Sequence, residues 1–387
     1  MLARPVYVAG AVRSAIGRRR GVLAGVHPAD LGGAVVAELL ERTGAAGDAA
    51  AEVDDVILGC VTQLGAQSTN LARIVALSAG LPESVPGTTI DRQCGSSQQA
   101  LNFGVQAIAS GDQDLVVAGG VEVMSRIPIA SAAFVGAEHG MGLPRDGELW
   151  RKRYGDEEIS QFRGAQLIAD HWSVSRERME EFALASHARA LAARDGGLFD
   201  AEIAPVYGLA RDEGPRADTT AEKMAALKPL AEGGTLTAAV ASQISDGAAV
   251  LLLASETAVE RHGLTPLARV VAQTVVGSDP VMMLTGPIPA TARVLAKAGL
   301  SAGDIDFFEV NEAFASVVLA WQHETGVGAD RTNVLGGAIS LGHPLGATGA
   351  RLATTLVHHL HRTGARYGLQ VMCEGGGMAN ATILERV

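Results

Sequence analysis

Residues 91 to 100 read DRQCGSSQQA and set Cys94 between amide and charged side chains on one side and Gly95, Ser96 and Ser97 on the other. The Thr-rich run Val85 to Ile90 has a strand pattern, and Gln98 to Ala109 carries Ala100, Leu101, Val105 and Ile108 on one helical face. Cys94 is thereby expected at a strand-to-helix junction, where unpaired N–H groups and the positive end of the helix dipole favour a thiolate. A lone cysteine is more often a buried structural residue, so the rest of the chain has to decide. The other two cysteines, Cys60 and Cys373, are far away in sequence. With no CxxC or Cys/His cluster, neither a disulfide framework nor a metal site is expected.

The elements that must position Cys94 are those of an α/β protein. Buried-strand runs such as DDVILGC, DLVVAGG, AAVLLLAS and YGLQVMC alternate with amphipathic stretches, and glycine and alanine dominate over aromatics. The chain also repeats itself. DDVILGCVTQ (54 to 63) resembles DIDFFEVNEAF (304 to 314), and each half then reaches a Gly/Ser-rich junction, QCGSSQQAL at Cys94 and GHPLGATGARL at His343. Each half closes on a strand running into glycines, DLVVAGGVEVM and YGLQVMCEGGGMAN. Two copies of one unit would set Cys94 and His343 at equivalent corners that face each other across a pseudo-twofold axis. Between the halves, 123–241 is richer in charge, Gly and Pro, the pattern of an inserted loop domain. The expected division is 1–122, completed by about 242–266, then the insertion, then 267–387.

At 387 residues and 48% hydrophobic the chain can bury a large core. No apolar run approaches the roughly 18 residues of a membrane span. The opening MLARPVYVAGAVR enters a strand pattern without signal-peptide organisation, and ILERV carries no peroxisomal address. A cytoplasmic protein with no membrane partner is expected. The net charge of −11 argues against nucleic-acid binding, although a local basic patch can still receive an anionic ligand.

DRQCGSSQQAL, NEAFA, GGAISLGHPLGATGAR and CEGGGMANA, in this order and spacing, resemble the motifs of the thiolases, and AVRSAIGRRRGVL and LPESVPGTT extend the resemblance over the whole chain. The resemblance implies a thiolase fold: two duplicated α/β halves with mixed five-stranded sheets in α-β-α-β-α layers, plus an inserted loop domain. It implies ping-pong acyl transfer between 3-ketoacyl-CoA and CoA through an acyl-Cys94. Cysteine suits this step, because its thiolate is a strong nucleophile and its thioester is similar in energy to that of CoA. By the same resemblance His343 activates Cys94, and Cys373 is the second cysteine, which protonates the departing enolate. The N–H groups of Cys94 and Gly375 form one oxyanion hole, and His343 with a water on Asn311 forms the other. Glu312 is expected to orient these groups. Arg216 aligns near the adenine end of coenzyme A and Ser242 near its pantetheine.

Coenzyme A is implied as co-substrate, with no permanently bound cofactor. A homodimer or homotetramer is implied too, with association to other β-oxidation enzymes as a further option. A biosynthetic acetoacetyl-CoA thiolase, a decarboxylating condensing enzyme and a silent acyl-CoA-binding scaffold are the alternatives. Glu374, Val240 and Leu335 depart from the commonest family pattern, and SQFRGAQLIAD lacks a histidine that some members carry near the acyl group. These departures bear on acyl preference, not on the four reacting positions.

Overall fold

The computed structural model describes residues 2–387. Its first half runs β1 (Val6–Ser14), α1 (Pro28–Thr43), β2 (Asp55–Gly59), α2 (Leu71–Ser78), β3 (Gly87–Ile90), α3 (Ser96–Ser110) and β4 (Leu115–Val123). The inserted segment follows, with its principal helices α4 (Gln161–His171) and α5 (Arg176–Asp195), before β5 (Ser245–Ser255) returns to the sheet. The second half runs β6 (Ala268–Gly277), α6 (Pro287–Ala298), β7 (Phe307–Val310), α7 (Ala315–Thr325), α8 (Thr348–Thr363), β8 (Tyr367–Glu374) and β9 (Met378–Arg386).

Strand order is β3-β2-β4-β5-β1 in the first half and β7-β8-β9-β6 in the second, and the two join edge to edge where Tyr7 pairs with Arg269 and Val8 with Ala268. The repeat calls for a fifth strand beside β7. Its place is taken by a single bridge from Phe308 to Thr332. β5 and β4 are buried along their full lengths, as strands covered on both faces must be.

Five layers result. α1 and α2 pack on the outer face of the first sheet in a cluster with Val35, Leu39, Leu71 and Val75, while α6 and α7 cover the second sheet around Val294, Val318 and Trp321. Between the sheets lie α3 and α8, joined by Ala100, Leu101, Ala350, Ala353 and Leu356. Their approach needs a missing side chain: a Cβ on Gly349 would sit 2.5 Å from the Gln98 backbone nitrogen.

The repeat is exact enough to equate single residues. Asp54 accepts from the Asp114 and Leu115 N–H groups at 2.7 and 3.0 Å, and Asp306 accepts from Arg366 and Tyr367, both at 2.8 Å. At that same spacing Glu122 corresponds to Glu374, and Ser96 to Thr348. Cys94 then corresponds to Gly346. His343 lies three residues before it, so the two corners are equivalent while the two candidate residues are not.

The insertion falls at the connection between β4 and β5, which in the second half is only Gly375, Gly376 and Gly377, with φ +86° and +81° at the last two. The whole inserted segment therefore grows from the carboxyl ends of the strands, the end at which open α/β sheets present their ligand crevice. A buried ion cluster ties it down. Arg13 of β1 donates to Asp212 at 2.7 and 3.0 Å and to Glu202 at 2.6 Å.

Candidate active site

The turn carrying Cys94 is held by its own side chains. The Arg92 N–H donates to Ser96 Oγ at 2.9 Å, and the Ser96 hydroxyl donates to the Gln93 carbonyl at 2.7 Å. Gln93 takes φ +51°, a left-handed conformation costing about 1 kcal/mol outside glycine, and Asp91 braces it by accepting its N–H at 2.6 Å. Cys94 sits two residues before α3 begins, just ahead of its N-cap Gly95. Its sulfur then lies within hydrogen-bonding reach of two N–H groups, that of Gly375 and its own. These are the two donors expected for the first oxyanion hole.

Cys373 is the penultimate residue of β8, wholly buried, and its sulfur is near enough to Cys94 for the two thiolate charges to oppose one another. Asn311 follows β7 and donates its backbone N–H to the Val371 carbonyl at 3.0 Å. Both atoms of its side-chain amide are buried without a partner. Glu312 does not face the reacting groups. It accepts from Ser186 Oγ at 2.7 Å, Asn333 Nδ2 at 3.0 Å and the Ile339 N–H at 3.1 Å, and so ties the insertion to the segment leading into His343.

The His343 N–H donates to Ser245 Oγ at 3.2 Å and to the Gln243 carbonyl at 3.1 Å. Its Nδ1 lies 2.6 Å from Thr348 Oγ1, whose own hydroxyl donates to the Pro344 carbonyl at 2.9 Å. With that hydrogen committed, Thr348 can only accept from Nδ1–H. The tautomer is thus assigned from the hydrogen bonds, leaving Nε2 as a lone-pair acceptor, and that atom is buried without a partner. Leu345, two residues on, packs in one cluster with Cys94, Met124 and Met372.

The protonation states differ from what the sequence suggests. Burial pushes the Cys94 thiol up to about 12, reinforced by the Glu374 carboxylate and only partly offset by the Gly375 N–H. Burial, with the Arg351 guanidinium, pulls His343 down to about 3. The resting pair is a neutral thiol and a neutral imidazole, because desolvation outweighs the helix terminus. Cys60 is the structural cysteine: fully buried, 3.9 Å from Glu122, its thiol pushed further up still.

Arg216 and Ser242 both neighbour Gln243. Arg216 is exposed, its N–H donates to His187 Nδ1 at 3.1 Å, and its guanidinium lies 3.5 Å from Gln243 Oε1; the Ser242 N–H donates to the Ala313 carbonyl at 2.9 Å. Gln243 escaped the sequence reading and joins these parts. Its amide donates to the Gly214, Ile339 and Ser340 carbonyls at 3.1, 2.9 and 3.0 Å, while its own carbonyl holds His343. Thr348 was missed as well, although the LGHPLGATG loop places a hydroxyl five residues after the histidine, a signal that was there to find.

A duplicated α/β frame with two cysteines, a neutral histidine and an empty-handed asparagine at its strand ends defines an acyl-transferring thiol enzyme. The chain matches the thiolase N-terminal domain over residues 6–257 and the thiolase C-terminal domain over residues 264–386, and it belongs to the thiolase family. It is 58% identical to a steroid 3-ketoacyl-CoA thiolase of Mycobacterium tuberculosis, covering 98% of this chain and 94% of that one. It is 43% identical to a β-ketoadipyl-CoA thiolase of Escherichia coli, covering 99% and 100%. Human mitochondrial 3-ketoacyl-CoA thiolase in complex with CoA superposes with a TM-score of 0.89 at 38% identity, covering 100% of this chain and 99% of that one. The protein is an acyl-CoA C-acyltransferase that cleaves a 3-ketoacyl-CoA with CoA, its co-substrate, to acetyl-CoA and a shortened acyl-CoA. No helix among the described residues is long and apolar enough to cross a membrane.

Proposed function

We propose that the chain degrades 3-ketoacyl-CoA thioesters with a bulky, ring-derived acyl group, and that Cys94 is the nucleophile, His343 its base and Cys373 the acid. The observation that carries the assignment is the Cys94 sulfur facing the Gly375 and Cys94 N–H groups, with Cys373 beside it. The Cys94 thiol gives its proton to His343 Nε2 as its sulfur attacks the keto carbon, and the two N–H groups receive the alkoxide. The C2–C3 bond breaks, the electrons pass to the acetyl-CoA enolate, and Cys373 protonates it. His343, now carrying its Nε2 proton, and a water on Asn311 stabilise that enolate oxygen. The Cys373 thiolate then takes the proton of incoming CoA, whose sulfur displaces Cys94 from the acyl group, and the departing Cys94 thiolate takes its proton back from His343 Nε2.

Arg216 and Ser242 are proposed to meet coenzyme A along its approach, Arg216 offering an exposed cation and Ser242 lying beside the Gln243 that holds the histidine loop. A homodimer or homotetramer in the cytoplasm, divided into the two halves and the 123–241 insertion, completes the proposal.

Two observations favour an apolar acyl group. Cys373 belongs to an apolar cluster with Phe314, Ile339 and Met283, and the half-exposed Phe162 stacks edge-on against Phe314 at 5.7 Å. The greater identity is to the thiolase named for steroid substrates. Comparison of kcat/KM for cyclic, straight-chain and 3-oxoadipyl thioesters tests this reading. The cyclic substrate should lead 3-oxoadipyl-CoA by roughly tenfold or more, the scale on which an apolar pocket discriminates. A preference for the dicarboxylic substrate overturns it.

The tautomer argument makes its own prediction. Thr348→Val keeps the shape but removes the acceptor for Nδ1–H, so kcat should fall about tenfold, the scale of one hydrogen bond, with KM unchanged. Thr348→Ser should restore it. A Thr348→Val enzyme with wild-type kcat refutes the assigned tautomer.

A further inference from the structure

Glu122 and Glu374 stand at equivalent places in the repeat, and their surroundings differ completely. Glu122 accepts from the Val61 N–H at 2.8 Å, the Thr62 N–H at 3.1 Å, Gln67 Nε2 at 2.8 Å and the Gly346 N–H at 3.0 Å. It is a structural clamp that binds the His343 loop to the first half. Glu374 is equally buried, and neither of its oxygens has a hydrogen-bonding partner. It lies under the Cys94 turn so closely that a Cβ on Gly95 would collide with Glu374 Oε1.

An unsatisfied buried carboxyl costs several kcal/mol if it is charged, so a group kept in such a place without compensation is a functional candidate. The reaction described above gives Glu374 no step. We propose that Glu374 is a positioning residue for the cysteine pair, its charge state deciding whether Cys94 can ionise. Neutral, it leaves the Gly375 and Cys94 N–H groups free to stabilise the thiolate. Ionised, it sets a second negative charge beside the same sulfur and holds Cys94 as the thiol.

The groups facing it can be named element by element. From the turn before α3 come Arg92, which favours the carboxylate, and Cys94; from its own strand comes Cys373. β9 contributes only neutral groups, Met378 paired opposite Glu374 and the Asn380 N–H, which is not aligned to hydrogen-bond either oxygen but whose dipole still favours the carboxylate. Asp91 acts on Cys94 in the same sense as Glu374 but more weakly. Burial outweighs Arg92 and raises Glu374 to about 8, so its charge changes close to neutral pH.

The inference builds on Cys94 as nucleophile, but its test reads the sulfur rather than catalysis. Iodoacetamide labelling of Cys94 is followed by peptide mapping from pH 6 to 9.5 in the wild type and in Glu374→Gln. At the acid end both carry a neutral residue at 374 and should label at equal rates. As pH rises through about 8 the wild type acquires the opposing charge, and the ratio of variant to wild type should climb to roughly tenfold or more. Glu374→Asp should retain the climb. A ratio independent of pH overturns the proposal, since a purely structural residue would change the rate by a constant factor.

If Glu374→Gln does not fold, the wild type alone decides. Its logarithmic labelling rate should flatten below unit slope around pH 8, and an unbroken unit slope overturns the proposal. Should Cys94 prove not to be the nucleophile, thiolysis would survive its replacement while the labelling experiment would still report on Glu374.

Discussion

Replacement of Cys94 by alanine should abolish formation of any covalent acyl-enzyme and lower thiolysis by roughly six orders of magnitude, the scale seen when a covalent nucleophile is removed. On the proposed assignment this sulfur carries the acyl group between the two half-reactions, and none of its neighbours can take over. Cys373 is wholly buried and held as a thiol chiefly by desolvation, while Cys60 is fully buried against Glu122. Loss of a small buried side chain costs only about 1 kcal/mol of stability, so the variant should fold. Intact-protein mass spectrometry after incubation with acetyl-CoA is the measurement. Wild type should gain one acetyl group and the variant none. Acylation trapped on Cys373 in the Cys94→Ala protein would reverse the assignment.

Cys373→Ala should separate the two half-reactions. Acetyl-CoA needs no carbon–carbon cleavage to acylate Cys94, so the acetyl adduct should still form, more slowly because the departing CoA thiolate lacks its proton donor. Thiolysis and condensation, which both need an acid or base at the α-carbon, should fall on the order of 100-fold or more. The thiol's raised pKa is what this role requires: a group that keeps its proton at neutral pH can deliver it to an enolate. Near wild-type thiolysis by the Cys373→Ala enzyme would sink the assignment. So would failure to acylate despite an intact fold, because Cys373 would then be acting on Cys94 itself.

Much of this molecule was legible in its residues. The strand pattern, the DRQCGSSQQAL junction and the doubled organisation are local properties, and residue type with a period of two or 3.6 suffices to read them. Boundaries moved by little: the helix after Cys94 begins at Ser96 rather than Gln98, and the strand before it at Gly87 rather than Val85. The shrunken fifth strand of the second half was not legible, because a strand reduced to one bridge leaves no periodic trace.

By itself the sequence determined which side chains are candidates to react, since thiol, imidazole and glycine N–H chemistry follows residue type, and the order of the motifs limits the reaction. The tertiary structure decided their protonation. Cys94 and His343 rest neutral because segments remote in the chain exclude water from both, a sum that no local window contains. It also decided the different fates of two glutamates at matching positions. Glu122 finds four nitrogen donors because the 61–67 loop and Gly346 close over it, whereas Glu374 meets the glycine turn at Gly95 and finds none. Hydrogen-bond satisfaction depends on which distant backbone arrives, and only the folded chain brings it there.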